Sequence, residues 1–247
     1  MRLPTLMLMA LLGAAFAAGA QTQRIQSPAQ QVALVELFTS EGCSSCPPAD
    51  RWMSELKSDK RLWNTLVPVA FHVDYWDYIG WPDRFAAPTY STRQRDYHRY
   101  AGLRSVYTPG FVVKGEEWRG WFRRPILNLD PPPAAGVITL DIASDGARVD
   151  ASYAAPSQQP LELHLAILGF DLETKVRAGE NDGRVLRHDF VVLGYQRIAM
   201  QGSGSRFVAT ATLPTPRIAA PRHALAAWVS QQGNPAPLQA AGGWLKN

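Results

Sequence analysis

The run Val35-Glu36-Leu37-Phe38-Thr39-Ser40-Glu41-Gly42-Cys43-Ser44-Ser45-Cys46-Pro47-Pro48-Ala49-Asp50 holds the only two cysteines of the chain, two residues apart. Val32 to Phe38 is apolar and β-prone, and reads as a central strand buried on both faces. Pro47-Pro48 suits a first helical turn, where the missing N–H groups would have no partner anyway. Trp52, Met53 and Leu56 then fall on one face of a helix ending around Lys57 to Lys60. Strand, Cys-x-x-Cys, helix is the order that thiol–disulfide chemistry needs. The thiolate is the nucleophile, and a helix N-terminus can lower a cysteine pKa from about 8.5 to roughly 3.5–7.5.

Upstream, residues 1–20 read as a secretory signal peptide. Arg2 supplies the positive start, Leu3 to Ala17 is apolar apart from Pro4 and Thr5, and Ala18-Gly19-Ala20 is a small-residue cleavage site. The mature chain then begins near Gln21 and is exported, periplasmic or secreted; an uncleaved anchor is the alternative. No later stretch is apolar enough to span a membrane of about 20 residues. Export places the cysteines where disulfides persist, but a bridge across two residues closes so small a ring that it removes little chain entropy. A redox role explains the pair better than a staple does.

Downstream, Leu66 to Val73 reads as a second strand, with Pro68 at its start or on an edge. Asp74 to Ala87 is an aromatic loop. Thr89 to Leu103 is helix-compatible, with Thr89 or Ser91 as its cap. Tyr107-Thr108-Pro109-Gly110 introduces a strand at Phe111-Val112-Val113, and Lys114-Gly115-Glu116 turns it into another. The sum resembles the thioredoxin fold, on the strength of Cys43/Cys46 and of Thr108-Pro109 opening a later strand. The resemblance implies a cis Pro109 beside the cysteine pair, with Thr108 and Pro109 docking an extended substrate segment.

The likeness extends to a secreted, thioredoxin-like family of unknown function (domain of unknown function twelve-twenty-three). It rests on Glu36 to Asp50, on His72-Val73-Asp74-Tyr75-Trp76-Asp77 with Gly80-Trp81, on Arg93-Gln94 and on Tyr107-Thr108-Pro109. Gly179-Glu180-Asn181-Asp182-Gly183-Arg184 with Leu186 and His188 carries it into the second half. Two features depart from a thioredoxin: Ser44-Ser45 separates the cysteines with the prolines after them, and Phe122 to Asp130 leaves little room for a closing helix.

The expected organisation is a flexible lead-in at 21–30, an α/β thioredoxin-like domain at 31–130, a linker at 131–136 and an all-β sandwich-like domain at 137–247. The last rests on alternating runs at Val137–Ile142, Ala147–Tyr153, Leu161–Leu168 and four later segments, with turn signals between them.

Hydrophobic residues make up 46% and charged ones 19%, which suits a packed globular chain. The net charge of +4 is scattered, so nucleic-acid binding is not expected. Cys43, nearer the exposed turn, is the expected attacking thiolate and Cys46 the resolving one. Glu41, His72 and Asp74 are candidates to tune the thiol or shuttle protons, against a purely structural role for His72. No metal is expected, since two cysteines do not fill a zinc site and His72 and His98 help only if the fold gathers them. Gly179 to Gly183 lacks the lysine of a phosphate loop and reads as a loop between strands, with contact to the cysteine face as its one functional option.

The expected activity is an exported thiol–disulfide oxidoreductase with no cofactor beyond the Cys43–Cys46 disulfide. Its partners would be protein thiols or disulfides, or a small thiol. The alternatives are an envelope binding protein with a structural disulfide and a metallochaperone, since soft thiolates favour Cu(I).

Overall fold

A computed structural model describes residues 22–123, 127–129 and 132–246. The signal peptide expected at 1–20 lies outside the described residues, as does the start of the expected linker. The described chain forms β1 (Gln23–Gln26), β2 (Ala33–Thr39), α1 (Pro47–Glu55), β3 (Leu66–His72), α2 (Pro88–Tyr100), β4 (Gly110–Val113) and β5 (Glu116–Glu117). It continues with β6 (Val137–Ile142), β7 (Arg148–Ala154), β8 (Leu161–Phe170), β9 (Leu172–Lys175), β10 (Val185–His188), β11 (Val191–Ala199), β12 (Gln201–Ser203), β13 (Arg206–Thr212), β14 (Arg222–Gln231) and β15 (Pro237–Trp244). Among the described residues, no helix is long and apolar enough to cross a membrane.

These elements overturn the expected fold class, an α/β thioredoxin-like domain followed by a sandwich. The chain is mostly β-sheet, with two α-helices against fifteen strands among the described residues. Strands of both halves join in one eight-stranded mixed sheet of order β15-β14-β8-β11-β3-β2-β4-β5. The join is narrow. β11 runs parallel to β3 at the single pair Val191↔Ala70, and the Ala70 N–H donates to the Phe190 carbonyl at 2.8 Å. Pro68, which has no N–H to give a ladder, sits in β3 two residues ahead of that point, where β11 does not reach.

The alternation in the second half misled for a related reason. In β8, Leu163, Leu165 and Ile167 face one core, shared with Leu140, Val149 and Leu225. The intervening Ala166 and Leu168 face another, shared with Val69, Phe71 and Trp228. His164, at a position that reads as solvent-facing, is buried between them and bonded to the Tyr195 hydroxyl at 2.7 Å and Ser230 Oγ at 2.8 Å. A sheet covered on both faces buries even its polar positions, and a polar group survives there only with partners. The second sheet, β1-β6-β7-β13-β12, is antiparallel and closes the core that holds Leu163 and Leu165. Its first strand falls inside the segment expected to be a flexible lead-in: β1 pairs with β6, and Ile25 packs into the core.

The helices also differ in detail from expectation. α2 starts at Pro88 with no side-chain cap; Ser91 is buried instead and donates to Asp74. What fixes α2 is a buried ion pair to the central strand: Arg93 Nε lies 2.6 Å from Glu36 Oε2, and the Tyr97 hydroxyl donates to Glu36 Oε1.

β9 and β10 stand apart as a two-stranded antiparallel ribbon. Asp171 and Phe190, at its two ends, have φ of 55° and 59°. A left-handed backbone is uncommon away from glycine, so these two residues turn the chain sharply out of the large sheet and back into it. Lys57, just past α1, bonds Asp171 and Asp189 at 2.8 Å each and pins both corners.

Candidate functional site

Cys43 and Cys46 form a disulfide, with Cα atoms 5.4 Å apart, between the end of β2 and the start of α1. Both sulfur-bearing residues are buried, at 1% and 0% exposure, although Ser44 and Ser45 between them are exposed. The helix start is unusual in its donors. Pro47 and Pro48 have no N–H, and the N–H groups of Ala49 and Asp50 both turn back to the Cys46 carbonyl at 2.8 and 3.1 Å. The dipole end therefore offers few free donors to a thiolate. The Ser45 hydroxyl lies 3.3 Å from Cys43 Sγ.

Behind the disulfide lies a buried group of ionisable side chains. Glu41 is fully buried; its Oε2 accepts from Trp81 Nε1 at 2.9 Å, and its Oε1 lies 3.4 Å from His188 Nε2. His188 Nδ1 is 3.9 Å from Asp50 Oδ2, one helical turn beyond Cys46. His72 stacks edge-on to His188 with ring centres 5.0 Å apart, and its Nδ1 sits 2.6 Å from Asp83 Oδ2. Asp83 also accepts from the N–H of Glu41 at 2.8 Å and of Phe85 at 2.9 Å. Both distances of His188 to carboxylates are ion-pair distances rather than hydrogen bonds. Several polar atoms of this group have no hydrogen-bond partner among the described residues: Glu41 Oε1, His72 Nε2, both His188 nitrogens, Thr39 Oγ1 and Thr174 Oγ1.

The charges follow from the contacts. Burial works against ionising Glu41, but the neighbouring His188 outweighs it and holds the carboxyl below its usual range. Burial also opposes the charged forms of Asp83 and His72; their mutual attraction prevails, lowering Asp83 and raising His72. Asp50 goes the other way, pushed up by burial against the pull of His188 and His72. A crevice of about 180 Å³ between α1 and β10, lined by Pro47, Asp50, Arg51, Val185, Arg187 and His188, reaches this group from the surface.

Of the residues singled out from sequence, Glu41 and His72 join this group. Asp74 does not appear in it; its carboxylate accepts the Ser91 hydroxyl at the start of α2. The Thr108–Pro109 peptide is cis, as the resemblance implies, and Pro109 is buried. Thr108 is tied toward the motif through Trp76, whose Nε1 donates to Thr108 Oγ1 at 2.6 Å. The Trp76 Cβ lies 3.1 Å from where a Cβ on Gly42 would stand, so the loop packs directly on the residue before Cys43.

Sequence reasoning missed Asp50, Asp83 and His188. It read Gly179 to Gly183 as a loop, and that loop lies on the motif. Asn181 is buried and donates Nδ2 to the Glu41 carbonyl at 2.8 Å and the Cys43 carbonyl at 3.0 Å. Glu180 Oε2 accepts from the Ser44 N–H at 3.0 Å. The sequence signal was the acidic, glycine-flanked run itself. Among the described residues, no three His, Cys, Asp or Glu side chains converge in a metal-binding arrangement.

No curated protein matches the chain. The structure is similar to the crystal structure of protein AGR_C_4864 from Agrobacterium tumefaciens, with 25% identity and a TM-score of 0.62 over 88% of this chain and 96% of that one. It is also similar in fold to HBP35 of Porphyromonas gingivalis, with 15% identity and a TM-score of 0.61 over 89% of this chain and 76% of that one. A model described as protein of unknown function (DUF1223) matches residues 34–230, and the chain belongs to that family.

Proposed function

We propose that the protein is an exported thiol–disulfide oxidoreductase whose reactive group is the Cys43–Cys46 disulfide. The observation that carries this is the buried ionisable group behind a disulfide too small to staple the fold. A structural bridge has no need of Glu41, Asp50, His72, Asp83 and His188 gathered out of water, where each is costly to hold. A redox pair has such a need, because reducing a disulfide adds two protons with two electrons, and perturbed carboxyl and imidazole groups cluster where protons move.

In this reading Cys43 is the attacking thiolate, stabilised by the Ser45 hydroxyl, and Cys46 resolves the mixed disulfide. Thr108 and Pro109 would border the substrate. Partners are protein thiols or disulfides, or a small thiol. The test is a Cys46→Ala trap expressed in the native compartment. Mixed disulfides on Cys43 are expected, and none in the Cys43→Ala/Cys46→Ala control. Recovery of no adduct, together with a reduction potential below about −300 mV, refutes the proposal.

The burial of both cysteines favours a second reading, a non-catalytic binding module with a structural disulfide. It would give that low potential and no adduct.

A further inference from the structure

The ribbon tip between β9 and β10 lies on the cysteine motif through few polar contacts. Arg177, Gly179, Glu180, Asp182, Gly183 and Arg184 are exposed; Asn181, at 0%, and Val176 beside the end of β9, at 3%, are the buried residues of the tip. Gly179 and Gly183 flank the plug with φ of 74° and 77°, a backbone that glycine adopts freely. The base of the ribbon, in contrast, is fastened by Lys57 and by the buried Leu172 and Leu186. The tip rests on Ile79 and Trp81 at Gly179, and its hydrogen bonds to the motif are those of Asn181 to the Glu41 and Cys43 carbonyls and of Glu180 from the Ser44 N–H. Arg184 Nη1, 3.0 Å from Asn181 Oδ1, orients the amide.

Thiol exchange needs a sulfur to approach Cys43 along the axis of the bond being broken. With Cys43 at 1% exposure that approach is closed. We propose that the tip is a cover latched by Asn181 and Glu180, and that a polypeptide substrate opens it by taking over the latch's hydrogen bonds. The proposal rests on the redox reading of Cys43–Cys46. The latch occupies two backbone carbonyls and one backbone N–H in close succession, the set that an extended chain engages with its own N–H and C=O groups. A small thiol has no such groups and must wait for the tip to open by itself. In this half-reaction a dithiol is oxidised: the Cys43–Cys46 bond breaks, an S–S bond forms in the reductant, and its two protons and two electrons pass to the cysteines.

The experiment measures the rate of reduction of the oxidised full chain by dithiothreitol and by reduced, unfolded ribonuclease A. It compares wild type, Glu180→Ala and Asn181→Ala. Glu180 is exposed, so Glu180→Ala keeps the oxidised fold intact, which thermal unfolding verifies. With dithiothreitol the wild-type rate is expected to level off at high thiol, at the opening rate. Each latch variant should react roughly ten-fold faster, as expected for losing hydrogen bonds of about this strength. With the polypeptide dithiol the gain should be less than about half of that factor. Equal wild-type and variant rates with dithiothreitol, with no plateau, overturn the cover. Equal gains with both reductants overturn the polypeptide as its opener. A wild type inert to the polypeptide dithiol, with latch variants still faster in dithiothreitol, would leave the cover standing and refute the redox reading instead.

Discussion

Asp83→Ala removes the hub of the buried group. Asp83 Oδ2 holds His72 Nδ1 at 2.6 Å and the Glu41 N–H at 2.8 Å, and Oδ1 holds the Phe85 N–H at 2.9 Å. Both side chains of the pair are fully buried. Deleting one member of a buried ion pair costs about 3–5 kcal/mol, because the other is left charged and dry. Folded domains of this kind have about 5–15 kcal/mol in total, so the variant should show a large fall in urea midpoint with an unchanged slope. Asp83→Asn keeps one acceptor oxygen but loses the charge and turns an NH2 toward the N–H groups that the other oxygen accepts, so it should lose at least about 1.5–3 kcal/mol. The pH dependence fixes the cause. His72 is raised, so its contribution is complete below 6.5 and fades as pH rises through the higher folded value. Asp83 is lowered, so its contribution is present above 3.8 and fades as pH falls through the lower folded value. The gap between wild type and Asp83→Ala should therefore be widest between 3.8 and 6.5 and narrow on both sides. A gap under about 1 kcal/mol in that window, or one indifferent to pH, would sink the assignment of a charged His72–Asp83 pair.

Two further substitutions separate the roles around the motif. Ser45→Ala removes the hydroxyl 3.3 Å from Cys43 Sγ; with Pro47 and Pro48 offering no N–H, the Cys43 thiol of the reduced protein should become harder to ionise. Iodoacetamide alkylation against pH reads this, and an unchanged curve would show that Ser45 does not hold the thiolate. Arg93→Met leaves Glu36 buried without its cation and should cost about 3–5 kcal/mol, whereas Glu36→Leu with Arg93→Met should recover most of that loss. Urea unfolding of the single and double variants decides it, and an equally unstable double variant would mean that α2 depends on Arg93 for more than its charge pairing.

The parts of this protein that could be read from sequence are those whose determinants lie close together along the chain. Cys43, Cys46 and the prolines that start α1 fall within six residues, and strand, cysteine pair and helix follow from local pattern alone. The strands of the second half were visible too, because alternation is a property of each segment. Which sheet a strand joins is not. The eight-stranded sheet depends on one parallel pairing, Val191↔Ala70, between residues more than a hundred positions apart. Nothing in the Pro68-containing strand announces that its free side will be used.

The same distinction explains the site. Glu41 and His72 drew attention by lying near the motif or at a strand end. His188 sits on β10 and reaches Glu41 only because Asp171 and Phe190 turn the ribbon back over α1. Asp50 sits in the first turn of α1, where a helix N-terminus favours a carboxylate. It becomes a buried group because Leu186 and His188 cover that face of α1. The ribbon thus does two things at once: it binds the backbone of the cysteine motif through Asn181, and it brings the His188 imidazole among the buried carboxylates. A half-chain ending before β9 would retain both cysteines and lose Asn181, Glu180 and His188 together, so the surroundings of this motif are built by both halves of the fold.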